Sequence, residues 1–370
     1  MAPTKEQILA SLAKVAAPDG RPLPQAAVLS DILITDGKVF FSMSVDAAVV
    51  QQWEPVRKAA EQAVRAMPGI ASVMVALTAD RAPTVASSGP APARATAGPR
   101  AAQAPEGVKA IIAVASGKGG VGKSTTAANL ALGLRDLGLK VGVLDADIYG
   151  PSMPKLLAIR GRPQTLGGTR LIPMDGYGLK VMSIGFLVEE ETPMIWRGPM
   201  VMSALTQMLR EVEWGELDVM VVDMPPGTGD AQLTMAQQVP LKGAVIVSTP
   251  QDLALIDARR GIAMFRRVDV PVLGIVENMS YFTCPSCGAR SDIFGHGGAR
   301  REAERLDVPF LGEIPLDMAI RETSDSGRPV VAIDPEGAHA KAYRAIAAKV
   351  RDALAAQATG RTAPKIVIEA

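Results

Sequence analysis

Eight residues, Gly117-Lys118-Gly119-Gly120-Val121-Gly122-Lys123-Ser124, constrain the fold of this chain more than any other feature. They satisfy the spacing G-x-x-x-x-G-K-[ST]. The apolar run Ala110–Ala115 leads in as a strand, and a helix from about Ser124 leads out. The glycines let backbone N–H groups converge on phosphate oxygens, and the start of the helix adds its partial positive charge. Such a loop works only where a strand's C-terminal end meets a helix, which commits the chain to a layered α/β architecture.

The rest of the sequence agrees. After residue 107, short β-rich runs (Ala110–Ala115, Val141–Leu144, Val219–Val222, Ala244–Val247, Val272–Val276) alternate with helical stretches, the last at about Ala338–Ala356. This alternation predicts an α/β class: a doubly wound, mostly parallel sheet forming a P-loop NTPase domain over residues 108–358. Residues 1–80 predict a small αββαβ domain. Ile8, Leu12 and Val15 share a helical face, and strands Val28–Ile34 and Val39–Val45 join at Asp36-Gly37. A helix at about Pro55–Ala66 opens with proline in its first turn, and Val73, Val75 and Leu77 mark the last strand. The Ala/Pro/Gly-rich residues 81–107 predict a linker, and 359–370 a short tail.

Within the loop, Lys123 reaches the β- and γ-phosphates and the Ser124 hydroxyl ligates Mg²⁺; Thr125 joins the nucleotide-binding set. Lys118 is not required for bare phosphate binding. A cation there that crosses a dimer interface acts like an arginine finger in trans. Asp145 and Asp147, two apart at the end of a strand, suit the nucleotide site, Asp147 orienting the attacking water and Asp145 lying nearer the metal. Asp223, after Val219–Val222, suits outer-sphere ligation of Mg²⁺, and Gly227 and Gly229 let the following loop respond to a γ-phosphate.

The chain has two cysteines, Cys284 and Cys287, in Cys-Pro-Ser-Cys. Four thiolates are usual for zinc or iron–sulfur sites. The two histidines, His296 and His339, add little, since His296 reads as a surface loop residue. The arithmetic favours half a site per chain, completed by two-fold symmetry. A thioredoxin-like redox pair and a shared zinc remain as competing readings.

The charge balance bears on partners. Lys+Arg number 39 against 38 Asp+Glu, and aromatics make up 4% of residues. Broad electrostatic binding to nucleic acid or anionic membrane and base-stacking platforms are therefore not expected. The N-terminus lacks the features of a signal peptide, and no apolar stretch is long enough to span a bilayer, so a cytoplasmic location is expected.

The deviant loop G-K-G-G-V-G-K-S resembles that of the MinD/ParA, nitrogenase iron protein and Mrp group, in which the first lysine acts in trans. Leu-Asp-Ala-Asp-Ile-Tyr-Gly-Pro-Ser, Asp-Met-Pro-Pro-Gly-Thr-Gly-Asp, Glu-Asn-Met-Ser and Cys-Pro-Ser-Cys follow in the order seen in Mrp/ApbC iron–sulfur cluster carriers. The resemblance covers roughly residues 108–350. It implies a homodimer with ATP and Mg²⁺, ATP hydrolysis, and a [4Fe–4S] cluster bridged by Cys284 and Cys287 of each subunit. It also implies cluster transfer to apo iron–sulfur proteins and dealings with other cluster-assembly factors. Asn278 resembles the family's adenine-contacting Asn, and Pro315 lies in a loop resembling the one that closes over the base. Residues 1–80 resemble the small domain attached to many bacterial members. Two other function classes stay open: a MinD/ParA-like positioning ATPase and a zinc-bridged dimeric adaptor.

Overall fold

The computed structural model describes residues 4–80 apart from 27, 30–31, 36–37, 47–48 and 71, and residues 104–359 apart from 167–169 and 188–197. The Asp36-Gly37 turn, most of the linker (81–103) and the tail from 360 onward lie outside the described residues. The chain divides into two compact units.

The N-terminal unit runs α1 (Lys5–Leu12), β1 (Leu33–Thr35), β2 (Lys38–Asp46), α2 (Val50–Arg65) and β3 (Ser72–Asp80). Strand order is β1-β2-β3, β1 antiparallel and β3 parallel to β2. Thr35 pairs with Lys38, the register that a two-residue turn requires. Val39, Phe41, Met43 and Val45 alternate into the core, where they meet Ile8, Leu12, Trp53, Ala60 and Val64.

Two boundaries differ from the sequence expectation. The first strand is shorter than Val28–Ile34: a 3₁₀ turn occupies Leu23–Ala26, and Leu29 makes only an isolated bridge to Met43. The second helix begins at Val50, so Pro55 lies inside it. Pro55 forfeits one N–H donor. Trp53, Ala60 and Val64, at helical spacing on the buried face, explain why the helix starts earlier, since Trp53 reaches the core only if Val50–Glu54 is already helical.

The larger unit comprises β4 (Val108–Ala115), α3 (Lys123–Asp136), β5 (Val141–Asp145), α4 (Met153–Leu156), β6 (Thr165–Leu166), β7 (Arg170–Leu171), β8 (Met174–Gly176), β9 (Leu179–Ser183), the part from Ala204 onward of α5 (Gly198–Arg210), β10 (Leu217–Asp223), α6 (Asp230–Gln238), β11 (Gly243–Ser248), α7 (Asp252–Arg267), β12 (Val272–Asn278), β13 (Phe282–Thr283), β14 (Arg290–Ser291), α8 (Gly298–Arg305), β15 (Phe310–Ile314), α9 (Met318–Asp325), α10 (Val330–Ile333) and α11 (Ala338–Thr359). Eight strands form one sheet in the order β15-β12-β11-β4-β10-β5-β9-β8, parallel throughout except for β8. The central strands are buried along nearly their whole length, as strands covered by helices on both faces must be. Strands β8, β9 and β15 were not expected from sequence. In β15 Gly312 and Glu313 interrupt the apolar run, and in β9 Lys180 does.

Strand β10 inserts between β4 and β5, so the chain reverses direction across the sheet beside the phosphate loop. Ligands of open α/β sheets bind at such a switch point. The parallel register sets Asp223 beside Asp145 and Val114, which brings two carboxylates to one strand end next to the loop. Among the described residues no helix is long and apolar enough to cross a membrane.

Candidate functional site

The phosphate loop takes the shape its sequence requires. Gly120 and Gly122 both have φ near +80°, and Gly122 caps α3 with no side-chain hydrogen bond, leaving the first N–H groups of the helix free for an anion. Two glycines are sterically obligatory. A Cβ on Gly117 would stand 2.3 Å from the Asp257 carbonyl oxygen, and one on Gly122 would stand 2.2 Å from Asn278 Nδ2. Gly119, Gly120, Gly122, Lys123, Ser124 and Thr125 line a cleft of about 400 Å³ together with Asp147, Ser152, Lys155 and, from α9, Ser324 and Asp325.

Lys123 is only 6% exposed and points into a ring of carboxylates. Its Nζ donates to Asp223 Oδ1 at 2.6 Å and to Ser124 Oγ at 3.1 Å, and lies 3.7 Å from Asp147 Oδ2. Two aspartates thus face one ammonium group, with Asp145 beside Asp223 on the neighbouring strand. Burial, opposed by Lys123, raises the carboxyl of Asp147; burial likewise raises that of Asp223. Asp145 is pushed up to about 7 by burial first and by the Asp223 carboxylate next. The excess negative charge calls for a further cation. Asp223 Oδ2 is buried without a hydrogen-bond partner, a donor atom waiting for a ligand. With the Ser124 hydroxyl beside it, this donor set fits Mg²⁺, a hard cation that takes oxygen ligands.

Asp145 is held at the end of β5 by four hydrogen bonds. Its Oδ2 accepts from Ser152 N (2.9 Å), Met153 N (3.0 Å) and Ser183 Oγ (2.9 Å), and its Oδ1 from Asp147 N (3.3 Å). The carboxylate therefore folds the 146–153 segment back over the strand end and aims Asp147 at the cleft. Ser183 belongs to this arrangement and escaped the sequence reading, because it lies on the unexpected strand β9. Gln232 escaped as well: its Nε2 donates to the Pro225 carbonyl, while Gly227 N donates to Ser116 O at 3.0 Å, so the loop after Asp223 is held at both ends.

Asn278 ends β12 and is buried behind the phosphate loop, its Nδ2 donating to the Val121 carbonyl at 2.8 Å. Pro315 follows β15, whose Ile314 pairs with Asn278. Neither residue lines the described cleft. The side chain of Lys118 has no hydrogen-bond or ion-pair partner among the described residues; its carbonyl accepts from Ser116 Oγ.

Six residues beyond Asn278, the cysteine pair forms the tip of a short hairpin. Thr283 pairs with Arg290, Cys284 N donates to Ala289 O, and Gly288, at φ +70°, returns its N–H to the Cys284 carbonyl. Cys284 is half-buried and Cys287 exposed, and both thiols are free. Backbone N–H groups of Ser286 and Cys287 hold the Cys284 thiol below its ordinary range, the setting of a metal-binding thiolate. Among the described residues no group of three or more metal-ligating side chains includes them. His296 instead lies with Glu277 and Glu313, their ligand atoms within 4.8 Å of one another. Each of these three already has a partner: Glu277 accepts from Gly297 and Ala299 N–H groups, Glu313 from Arg300, and His296 contacts Arg290.

The raised carboxyl of Asp145 gives a pH prediction. Carboxyls whose folded pKa is raised make the folded protein less stable as pH rises, over the window from the ordinary value near 3.8 to about 7. A cation brought to Asp223 is expected to offset the charge that helps keep Asp145 protonated, and so to release that proton. Calorimetry in buffers of different ionisation enthalpy is expected to show proton release at pH 6 that vanishes above pH 8; release independent of pH would contradict it.

A family model described as NUBPL iron-transfer P-loop NTPase matches residues 107–351, and one described as iron-sulfur cluster assembly protein matches residues 5–77. The chain is 57% identical over 242 residues to the iron-sulfur cluster transfer protein NUBPL of Mus musculus, covering 65% of this chain and 76% of the relative. It is 43% identical over 356 residues to an iron-sulfur cluster carrier protein of Synechocystis, covering 94% and 97%. A solved nucleotide-binding protein from Archaeoglobus fulgidus, in complex with ADP, superposes with a TM-score of 0.55 at 44% identity, covering 60% of this chain and 88% of that one. With the phosphate loop inside a family model that matches residues 107–351, this chain belongs to the NUBPL iron-transfer P-loop NTPase family.

Proposed function

We propose that the protein binds iron–sulfur clusters and transfers them to apoproteins, using ATP binding and hydrolysis, as a homodimer that holds one [4Fe–4S] cluster between the Cys284/Cys287 pairs of its two subunits. The observation that carries this reading is the adjacency of two sites: Asn278 props the phosphate loop, and the thiol pair begins six residues later, in the hairpin that follows the same strand. Two thiolates per chain satisfy a four-thiolate cluster only when two chains meet.

Within this reading, the Gly117–Gly122 backbone and the α3 N-terminus cradle the phosphates. Lys123 exchanges its Asp223 contact for phosphate oxygens. Ser124 would hold Mg²⁺ directly and Asp223 through the outer sphere, and the ion, when bound, would offset the β/γ-phosphate charge. Asp147 orients the attacking water, and Lys118 reaches the partner's γ-phosphate. Asn278 and Pro315 flank the base. Residues 1–80 form a docking domain for cluster-assembly factors or recipient apoproteins, followed by a linker to 107, the ATPase and carrier domain at 108–358, and the tail. The setting is cytoplasmic, and neither nucleic acid nor membrane is a partner.

The test is anaerobic reconstitution followed by transfer to an apo-enzyme. Broad thiolate-to-iron absorption and recovery of the recipient's activity are expected. A colourless, zinc-containing protein that activates nothing would replace the carrier with an adaptor.

A further inference from the structure

The cysteine hairpin is short. Its ladder holds two residue pairs, Phe282–Ser291 and Thr283–Arg290, and its tip is exposed. A loop so slight does not by itself fix two sulfur atoms against the body of the domain, and a cluster needs fixed ligands. One side chain ties it down. The guanidinium of Arg290 lies 4.0 Å above the Tyr281 ring centroid, its Nη2 lies 2.9 Å from His296 Nδ1, and its Nε donates to Asp292 Oδ1 at 3.2 Å.

Both anchors are themselves bound to strands β12 and β15 or their ends. The Tyr281 carbonyl accepts from Leu316 N at 2.7 Å, and Ser280 N donates to Ile314 O at 3.0 Å, so Tyr281 is stitched to the end of β15. His296 precedes Gly297, whose N–H reaches the buried Glu277 on β12 at 3.2 Å. Arg290 therefore spans two fixed points, one on each side of the hairpin's base. A planar, multi-donor fork does this: its face stacks on the phenol while its edge reaches the imidazole. A lysine ammonium has no such face.

We infer that Arg290 is a positioning residue for the thiolate pair, clamping the Cys284–Cys287 hairpin between Tyr281 and His296 so that the sulfurs keep a fixed place relative to β12. This rests on the carrier reading above. It adds a residue that the ligand count does not require and that ties cluster geometry to the strand ending in Asn278. Outer partners of metal ligands commonly shift affinity by one to two orders of magnitude without changing the ligand set.

The experiment uses the full-length protein reconstituted anaerobically, comparing wild type with Arg290→Ala, Arg290→Lys, Tyr281→Leu and the exposed His296→Ala. Iron content at saturation is expected to match wild type in all four. Extraction of iron by a chelator is expected to run about tenfold faster in Arg290→Ala, with smaller increases in the two anchor variants. The visible circular dichroism of the cluster, which reports the chirality of its ligand set, is expected to change in parallel. Arg290→Lys should fail to rescue either readout. Wild-type extraction rate and dichroism in Arg290→Ala, or full rescue by lysine, would overturn the clamp. A Cys284→Ser/Cys287→Ser double variant separates this from the carrier reading. If that variant still assembles the chromophore, the cysteines are not the ligands and the carrier reading falls. If it loses the chromophore while Arg290→Ala behaves as wild type, only the clamp falls.

Discussion

Lys123→Ala is expected to abolish tight ATP binding, lowering affinity by roughly two orders of magnitude, whereas Lys118→Ala is expected to leave binding largely intact and to depress hydrolysis by about a thousandfold. The two lysines lie five residues apart in one loop, and their surroundings are opposite. Lys123 is buried, with Asp223 at 2.6 Å and Asp147 at 3.7 Å, so its charge already sits where phosphate oxygens arrive. Removing it deletes a charge-assisted contact and leaves buried carboxylates facing an incoming polyanion. Lys118 is half-exposed and its ammonium is without a partner in its own chain among the described residues. Its proposed target is the partner subunit's nucleotide, where charge develops in the transition state, and such a contact acts on turnover rather than on ground-state affinity. Equilibrium titration with a fluorescent ATP analogue, set beside single-turnover hydrolysis, separates the two. Equal loss of binding in both variants would sink the trans assignment.

What the sequence disclosed followed from how rigidly each position is constrained. The phosphate loop was legible because its backbone leaves few alternatives: Gly117 abuts the Asp257 carbonyl, and Gly122 abuts Asn278 at positive φ. The buried parallel strands were legible as apolar runs. Pro55 misled the helix boundary because the packing demand of Trp53, two residues earlier, outweighed the local signal of proline. Strand β15 was missed because Gly312 and Glu313 break its apolar run, and it is held at the sheet edge by pairing with β12. In the site, residue types could be read but not their partners. Sequence marked Asp145 as a carboxylate at a strand end. It could not show that residues 152 and 153 return to it, or that Ser183 comes from another strand. Arg290 carries no signal in the sequence for the same reason: both its anchors are brought to it by tertiary packing.

The second large effect concerns the cysteines. Cys284→Ser and Cys287→Ser are each expected to reduce reconstituted iron from about four per dimer to under one, and wild-type protein is expected to hold its cluster only as a dimer. The argument rests on donor supply. Each chain has two thiols, and no histidine stands with them, since His296 is engaged by Arg290 and shares its surroundings with Glu277 and Glu313. A serine leaves three thiolates at best in a mixed site and two in a symmetric one. The decisive sample is a mixed dimer, one subunit wild type and the other carrying both substitutions, purified through two different tags. With half a site left, it should hold no stable cluster, although both nucleotide clefts are intact and ATP binding should match wild type. Sizing chromatography coupled to iron analysis reads the outcome. A fully loaded monomer, or a mixed dimer that retains four irons, would show that one chain suffices and that the bridging geometry is wrong.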